Sequence, residues 1–130
     1  MNAVDTNVLA RYLLDDDEAQ ARRAADVLLA PVWVSLTVWL ELGWVLGKQL
    51  KLQRNTISDA LETLLSLDTV HTVERAGLLW AVDRFRAGAD WADMIHLVAA
   101  GGSANMFLTF DSQLARHAGA AAPIPVETLR

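Results

Sequence analysis

The strongest constraint on this chain is an alternation: short apolar, β-prone runs separated each time by a stretch with helical period. Asn2 to Asp5 reads as the end of a short strand. Val32-Trp33-Val34, Thr69 to Val73, Met106 to Thr109 and Ile124-Pro125-Val126 read as four more. Between them lie helical patterns. Val8, Leu9, Tyr12 and Leu13 share one face, and the alanine-rich segment Ala19 to Ala30 is a helix by propensity, ended by Pro31. The acidic run Asp15-Asp16-Asp17-Glu18 separates these two helices and offers caps to the second. Ser35 caps a third helix whose Val38, Leu42, Val45 and Leu46 fall on one face. Arg54 to Leu67 repeats the period through Ile57, Leu61, Leu64 and Leu65. Glu74 to Ala87 is helical and ends at Gly88. Asp90 caps Trp91 to Ala100, which stops at Gly101-Gly102, and Asp111 to His117 is a short last helix. Strands of three to five residues joined through helices imply a parallel sheet covered on both faces. The expected fold is therefore α/β, three-layer α/β/α, with a short central, mainly parallel sheet of about five strands. In such sheets functional sites gather at the carboxyl ends of the strands.

A chain of 130 residues fits one compact domain spanning 1–130, and its 53% hydrophobic content is too high for disorder. The chain has no cysteine, which excludes disulfides, zinc–thiolate sites and a thiol nucleophile. Sixteen acids against 11 Lys and Arg give a formal charge of −5. That balance argues against holding nucleic acid by bulk charge, though not against attacking it through a metal ion. Val27 to Leu40 and Met94 to Phe110 lack charged residues. The first is too short for the roughly 20 apolar residues of a membrane span, and Gly101-Gly102-Ser103-Ala104-Asn105 breaks the second. Met1 to Asp5 lacks the basic opening of an export signal. A soluble cytoplasmic protein is the expectation.

Four acids occupy positions where a solvated face is not expected. Asp5 ends the first strand, and Asp111 directly follows the Phe107-to-Phe110 run. Glu41 sits at the margin of an apolar helical stripe, and Asp93 lies in the first turn of an otherwise apolar helix. Each has a local reading. Asp5 and Asp111 suit caps for the helices that follow, Asp93 complements a helix dipole, and Glu41 is a solvated residue. Jointly they read otherwise. Converging carboxylates raise one another's pKa unless a cation neutralises them, and oxygen-only ligands select Mg²⁺ or Mn²⁺ over zinc. Such an ion polarises a phosphodiester and activates water.

These residues carry a family resemblance. Val4-Asp5-Thr6-Asn7-Val8-Leu9 resembles the opening strand and turn of PIN-domain ribonucleases, particularly the VapC-type toxins of bacterial toxin–antitoxin pairs. Glu41 within Thr37-Val38-Trp39-Leu40-Glu41-Leu42 resembles the family's helical glutamate. Gly88 to His96 is similar to its helix-opening double-aspartate motif, and Leu108-Thr109-Phe110-Asp111 to its late Thr-x-Asp strand end. The motifs stand in family order and span nearly the whole chain. The resemblance implies that Asp5, Glu41, Asp93 and Asp111 form the catalytic acidic quartet. Asp5 and Asp93 are then the direct ligands of Mg²⁺ or Mn²⁺, Asp111 and Glu41 bind through water or act as general base, and Asp90 is a peripheral fifth acid. Thr6, Asn7 and Thr109 are short polar residues suited to hydrogen bonds behind these acids, or to turn chemistry. The resemblance further implies hydrolysis of RNA to 5′-phosphate and 3′-hydroxyl ends, with structured transfer or ribosomal RNA as the substrate class, a homodimer, and a cognate antitoxin protein. Without the quartet, 12 acids face 11 bases, so most of the net charge belongs to the proposed metal site.

A different class stays open: a catalytically silent PIN-like domain that binds a partner and keeps its acids as caps. An aspartyl phosphatase is disfavoured because Asn7 stands where a second acid is needed. His96, one turn after Asp93, is expected to pack and hydrogen-bond in the core. Lys48, Lys51 and Arg54 form the main basic cluster. Trp39 and Trp44 are separated by about 140° on a helix, so both cannot face the core, and the outward one would suit a partner.

Overall fold

The computed structural model describes residues 1–14 and 16–130, which form two compact units, Met1–Val73 and Glu74–Arg130. Asp15, part of the expected capping run, lies outside the described residues. Among the described residues every strand pairing is parallel, as the alternation implies. There, hydrogen bonding groups five strands as three and two.

The first unit runs β1 (Asn2–Ala3), α1 (Thr6–Leu14), α2 (Glu18–Val27), β2 (Val32–Trp33), α3 (Leu36–Trp44), a π-helical turn (Val45–Gln49), α4 (Arg54–Ser66) and β3 (Val70–His71). β2 is the middle strand, with Ala3 paired to Trp33 and Trp33 to His71. The capping expectation holds at Asp17, whose side chain accepts from the Gln20 amide at 3.1 Å, and Arg11 pairs with Asp16 at 3.0 Å. α2 stops at Val27, short of Ala30. Pro31 disfavours helical backbone at the residue before it, and the chain must turn to enter β2. The Thr69-to-Val73 run yields only two strand residues, Val70 and His71, although the Thr69 carbonyl still accepts from the Val32 amide at 2.8 Å. The Thr69 hydroxyl donates to the Leu28 carbonyl at 2.6 Å, and Thr72 accepts the Trp39 indole N–H at 3.0 Å.

The buried face of α3 differs from the expected one. Trp39, Leu42 and Leu46 are fully buried, while Val38 and Val45 are only half-buried. The indole fills the interior and finds a hydrogen-bond partner there, which rotates the stripe by one position. α4 buries Ile57, Leu61, Leu64 and Leu65 as its period predicts.

The second unit runs α5 (Arg75–Arg86), α6 (Trp91–Ala100), β4 (Phe107–Thr109), α7 (Leu114–Ala118) and β5 (Val126–Thr128). Gly88, at φ +117, ends α5 in a conformation that L side chains rarely adopt. α5 and α6 approach closely at Gly77, where an added Cβ would lie 3.1 Å from Val98. Phe85 meets Trp91 edge-to-face at 6.0 Å. The last strand lies two residues later than its sequence suggests. Pro125 has no amide hydrogen and contributes only its carbonyl, which accepts from Phe107 at 2.8 Å, while Ile124 is buried as core. Among the described residues no helix is long and apolar enough to cross a membrane.

Candidate functional site

In the first unit, β1 ends at Ala3 and the chain turns through Val4 and Asp5 into α1. Asp5 is exposed, and its Oδ1 accepts from the Val8 amide at 3.2 Å, so it fulfils the capping role its position allows. Thr6 points the other way. It is only 3% exposed, and its hydroxyl donates to Oε1 of Glu41 from 35 residues away. Glu41 itself is exposed on α3. The buried threonine thus holds one carboxylate oxygen of a solvent-facing acid, which limits the rotamers open to a long side chain. Asn7 is exposed beside them. Glu41 also lines a cleft of about 460 Å³ with Thr37, Val38, Leu40 and Trp44. Trp44 is 52% exposed, against complete burial of Trp39.

In the second unit, Asp90 caps α6, its carboxylate accepting from the Asp93 amide at 2.9 Å. Asp93 is half-buried in the first turn. Burial holds its carboxyl above the ordinary value of 3.8, and the negative charges of Asp90 and Asp111 push it in the same direction. His96 and His117 oppose that shift. Asp111 follows β4, and its Oδ1 accepts from the Gln113 amide at 2.8 Å. Its own amide donates to the Thr109 hydroxyl at 3.0 Å. Thr109 therefore fixes the backbone that carries Asp111. His96 is exposed, contrary to the expectation that it packs in the core. The apolar positions of α6 fill its buried face and leave His96 on the wet side.

The acids are thus disposed in two sets: Asp5 with Glu41, joined through Thr6, and Asp93 with Asp90 and Asp111, joined by field. Among the described residues no three Asp, Glu or His side chains are gathered closely enough to hold a metal ion. In kind, the donors fit a hard divalent cation. All are carboxylate or hydroxyl oxygens, the chain has no sulfur ligand from cysteine, and like charges acting on Asp93 are what a cation relieves.

A family model described as PIN domain matches residues 3–120. The chain belongs to the PIN domain family. The match covers most of the chain and includes all four acids of the quartet. No curated protein matches the chain. PIN domains are in general nucleases, hydrolases of nucleic-acid phosphodiester bonds, and often depend on divalent metal ions. Sequence reasoning did not reach two features of this PIN domain. One is the Thr6–Glu41 link, which joins residues too far apart for any local pattern to reveal. The other is the cleft that Trp44 shares with Glu41; its signal was the three-residue spacing that puts both on one side of a helix.

Proposed function

We propose that this PIN domain is a Mg²⁺- or Mn²⁺-dependent endoribonuclease and the toxin of a toxin–antitoxin pair, with residues 1–130 acting as one nuclease domain. The observation that carries this reading is the ordered set Asp5, Glu41, Asp93 and Asp111 within a family match running from residue 3 to 120. In this reading Asp5, Asp93 and Asp111 hold the cation, with Asp90 at the periphery. When bound, the ion neutralises phosphate charge and lowers the pKa of a water. Glu41, steadied by Thr6, accepts the proton of the attacking water, and Asp111 orients that water. Thr109 keeps the Asp111 backbone in place. The burial and the negative charges of Asp90 and Asp111 that hold the Asp93 carboxyl above its ordinary value are what the charge of a bound cation would offset. Structured transfer or ribosomal RNA as substrate, a homodimer and a cognate antitoxin are supported by the resemblance to VapC-type toxins.

The experiment is cleavage-site mapping on total cellular RNA, comparing the wild type with Asp5→Asn in Mg²⁺ and in EDTA. Discrete cuts bearing 5′-phosphates, absent in EDTA and in the variant, are expected. Cuts that persist in both would remove the metal and the assignment of Asp5 together.

A second reading is favoured by a specific observation: Asp5, Asp90 and Asp111 all accept backbone amides locally, as caps and turns do. A catalytically silent partner-binding domain would keep them for that reason. Mn²⁺ discriminates between the two, since a metal site raises the melting temperature of the wild type and not of Asp5→Asn.

A further inference from the structure

On α3 and the π-helical turn that continues it, three chemistries follow one another: Glu41, Trp44 and Lys48. At 1.5 Å per residue, Trp44 lies about 4.5 Å along the axis from Glu41, and three positions return to roughly the same side of the helix. The two residues line one cleft with Thr37, Val38 and Leu40. Half of the Trp44 surface faces water, in a helix that buries its other large aromatic completely. Lys48 is exposed four positions further on, and Lys51, also exposed, lies two residues beyond the end of the turn. An apolar side chain of a protein partner would cover the indole yet leave the ammonium groups unanswered. A nucleotide answers both, because every base has a face that stacks on an aromatic ring and every phosphate attracts lysine.

We propose that Trp44 is the stacking platform for one unpaired nucleobase of the substrate RNA, placed beside Glu41, with Lys48 on an adjacent phosphate. The proposal rests on the nuclease reading above and adds to it the residue that binds an unpaired base. It makes the cut dependent on a base that is free to leave its own stack, so unpaired loops are preferred over duplex.

The test uses short oligo(U) strands, and abasic strands of the same length and backbone, titrated by fluorescence anisotropy in EDTA, where the cation that cutting requires is withheld and the strands stay whole. Trp44→Ala is expected to weaken oligo(U) binding by about 5- to 150-fold, the range for one lost base–aromatic stack, and to leave the abasic strand unaffected. Trp44→Phe retains most of the affinity. Lys48→Ala weakens both probes alike and lowers the salt slope by about 0.7. Equal losses of Trp44→Ala on both probes, or no loss on oligo(U), overturn the platform. So does a wild-type oligomer that dissociates in Trp44→Ala while RNA affinity is unchanged, which would assign the indole to a protein contact. Wild-type protein that cuts RNA in Mg²⁺ while Trp44→Ala cuts with unchanged KM sinks this inference alone. Wild-type protein that neither cuts nor binds RNA sinks the nuclease reading with it.

Discussion

Thr6→Val isolates a hydrogen bond that reaches a proposed catalytic acid from 35 residues away. The valine methyl occupies the space of the hydroxyl, so no cavity opens at a position that is 3% exposed. What is lost is the donor to Glu41 Oε1. Hydrogen bonds to charged groups contribute about 1.5–3 kcal/mol. Glu41 is exposed and regains water when the threonine is gone, which brings the expected loss down to about 1 kcal/mol. With an unfolding entropy of about 2.1 cal/mol/K per residue, that loss in a chain of this length lowers Tm by about 4 °C. Activity suffers more than stability. A carboxylate released from its orienting partner costs about 10- to 100-fold in turnover, with KM little changed. The assay is a double-mutant cycle of Thr6→Val with Glu41→Gln, read both by thermal melts and by RNA cleavage in Mg²⁺. A coupling near 1 kcal/mol and non-additive rate losses are expected. Additive stabilities within about 0.3 kcal/mol, together with wild-type turnover in Thr6→Val, would refute the claim that this threonine positions Glu41.

Two further outcomes follow from the second unit. The Asp93 carboxyl is held above 3.8, first by burial and then by the charges of Asp90 and Asp111. Its ionisation therefore opposes folding: the neutral form's contribution is complete below pH 3.8 and fades as pH rises through the native value. Asp93→Asn should raise Tm at neutral pH, with the gain closing below pH 3.8. A gain independent of pH between 3 and 7 would show another cause. Arg84→Ala removes the Nε donor to the His117 carbonyl at 2.6 Å, and the guanidinium that packs 3.2 Å from the Cβ position of Gly119. A loss of about 1–2 kcal/mol and faster amide exchange across Leu114–Ala118 are expected, and unchanged exchange there would remove Arg84 as the anchor of α7.

Much of the fold was legible because its signals are local. A cap is settled within three residues, so Asp17, Ser35 and Asp90 accept the amides that their spacing predicts. Helical periods located α4 and α6 with little error, since each face is written in residues three and four apart. Parallel pairing followed from helices standing between the strands. The four acids could be singled out for the same reason, as short motifs in fixed order, and they lie within residues 3–120 that the family model matches.

What the tertiary structure decided are matters of competition between distant groups. Nothing within a few residues of Trp39 tells that Thr72 waits for its indole and that Trp44 is left in water. Nothing near Thr6 announces Glu41, and nothing near His96 says that its apolar neighbours fill the buried face of α6 and leave it exposed. By itself the sequence determined which residues can cap, coil, pair and bear charge, because those properties belong to the side chain and its nearest neighbours. Which side chain takes the buried place and which keeps the water is fixed only by packing, because each interior space accepts one occupant at close-packed density.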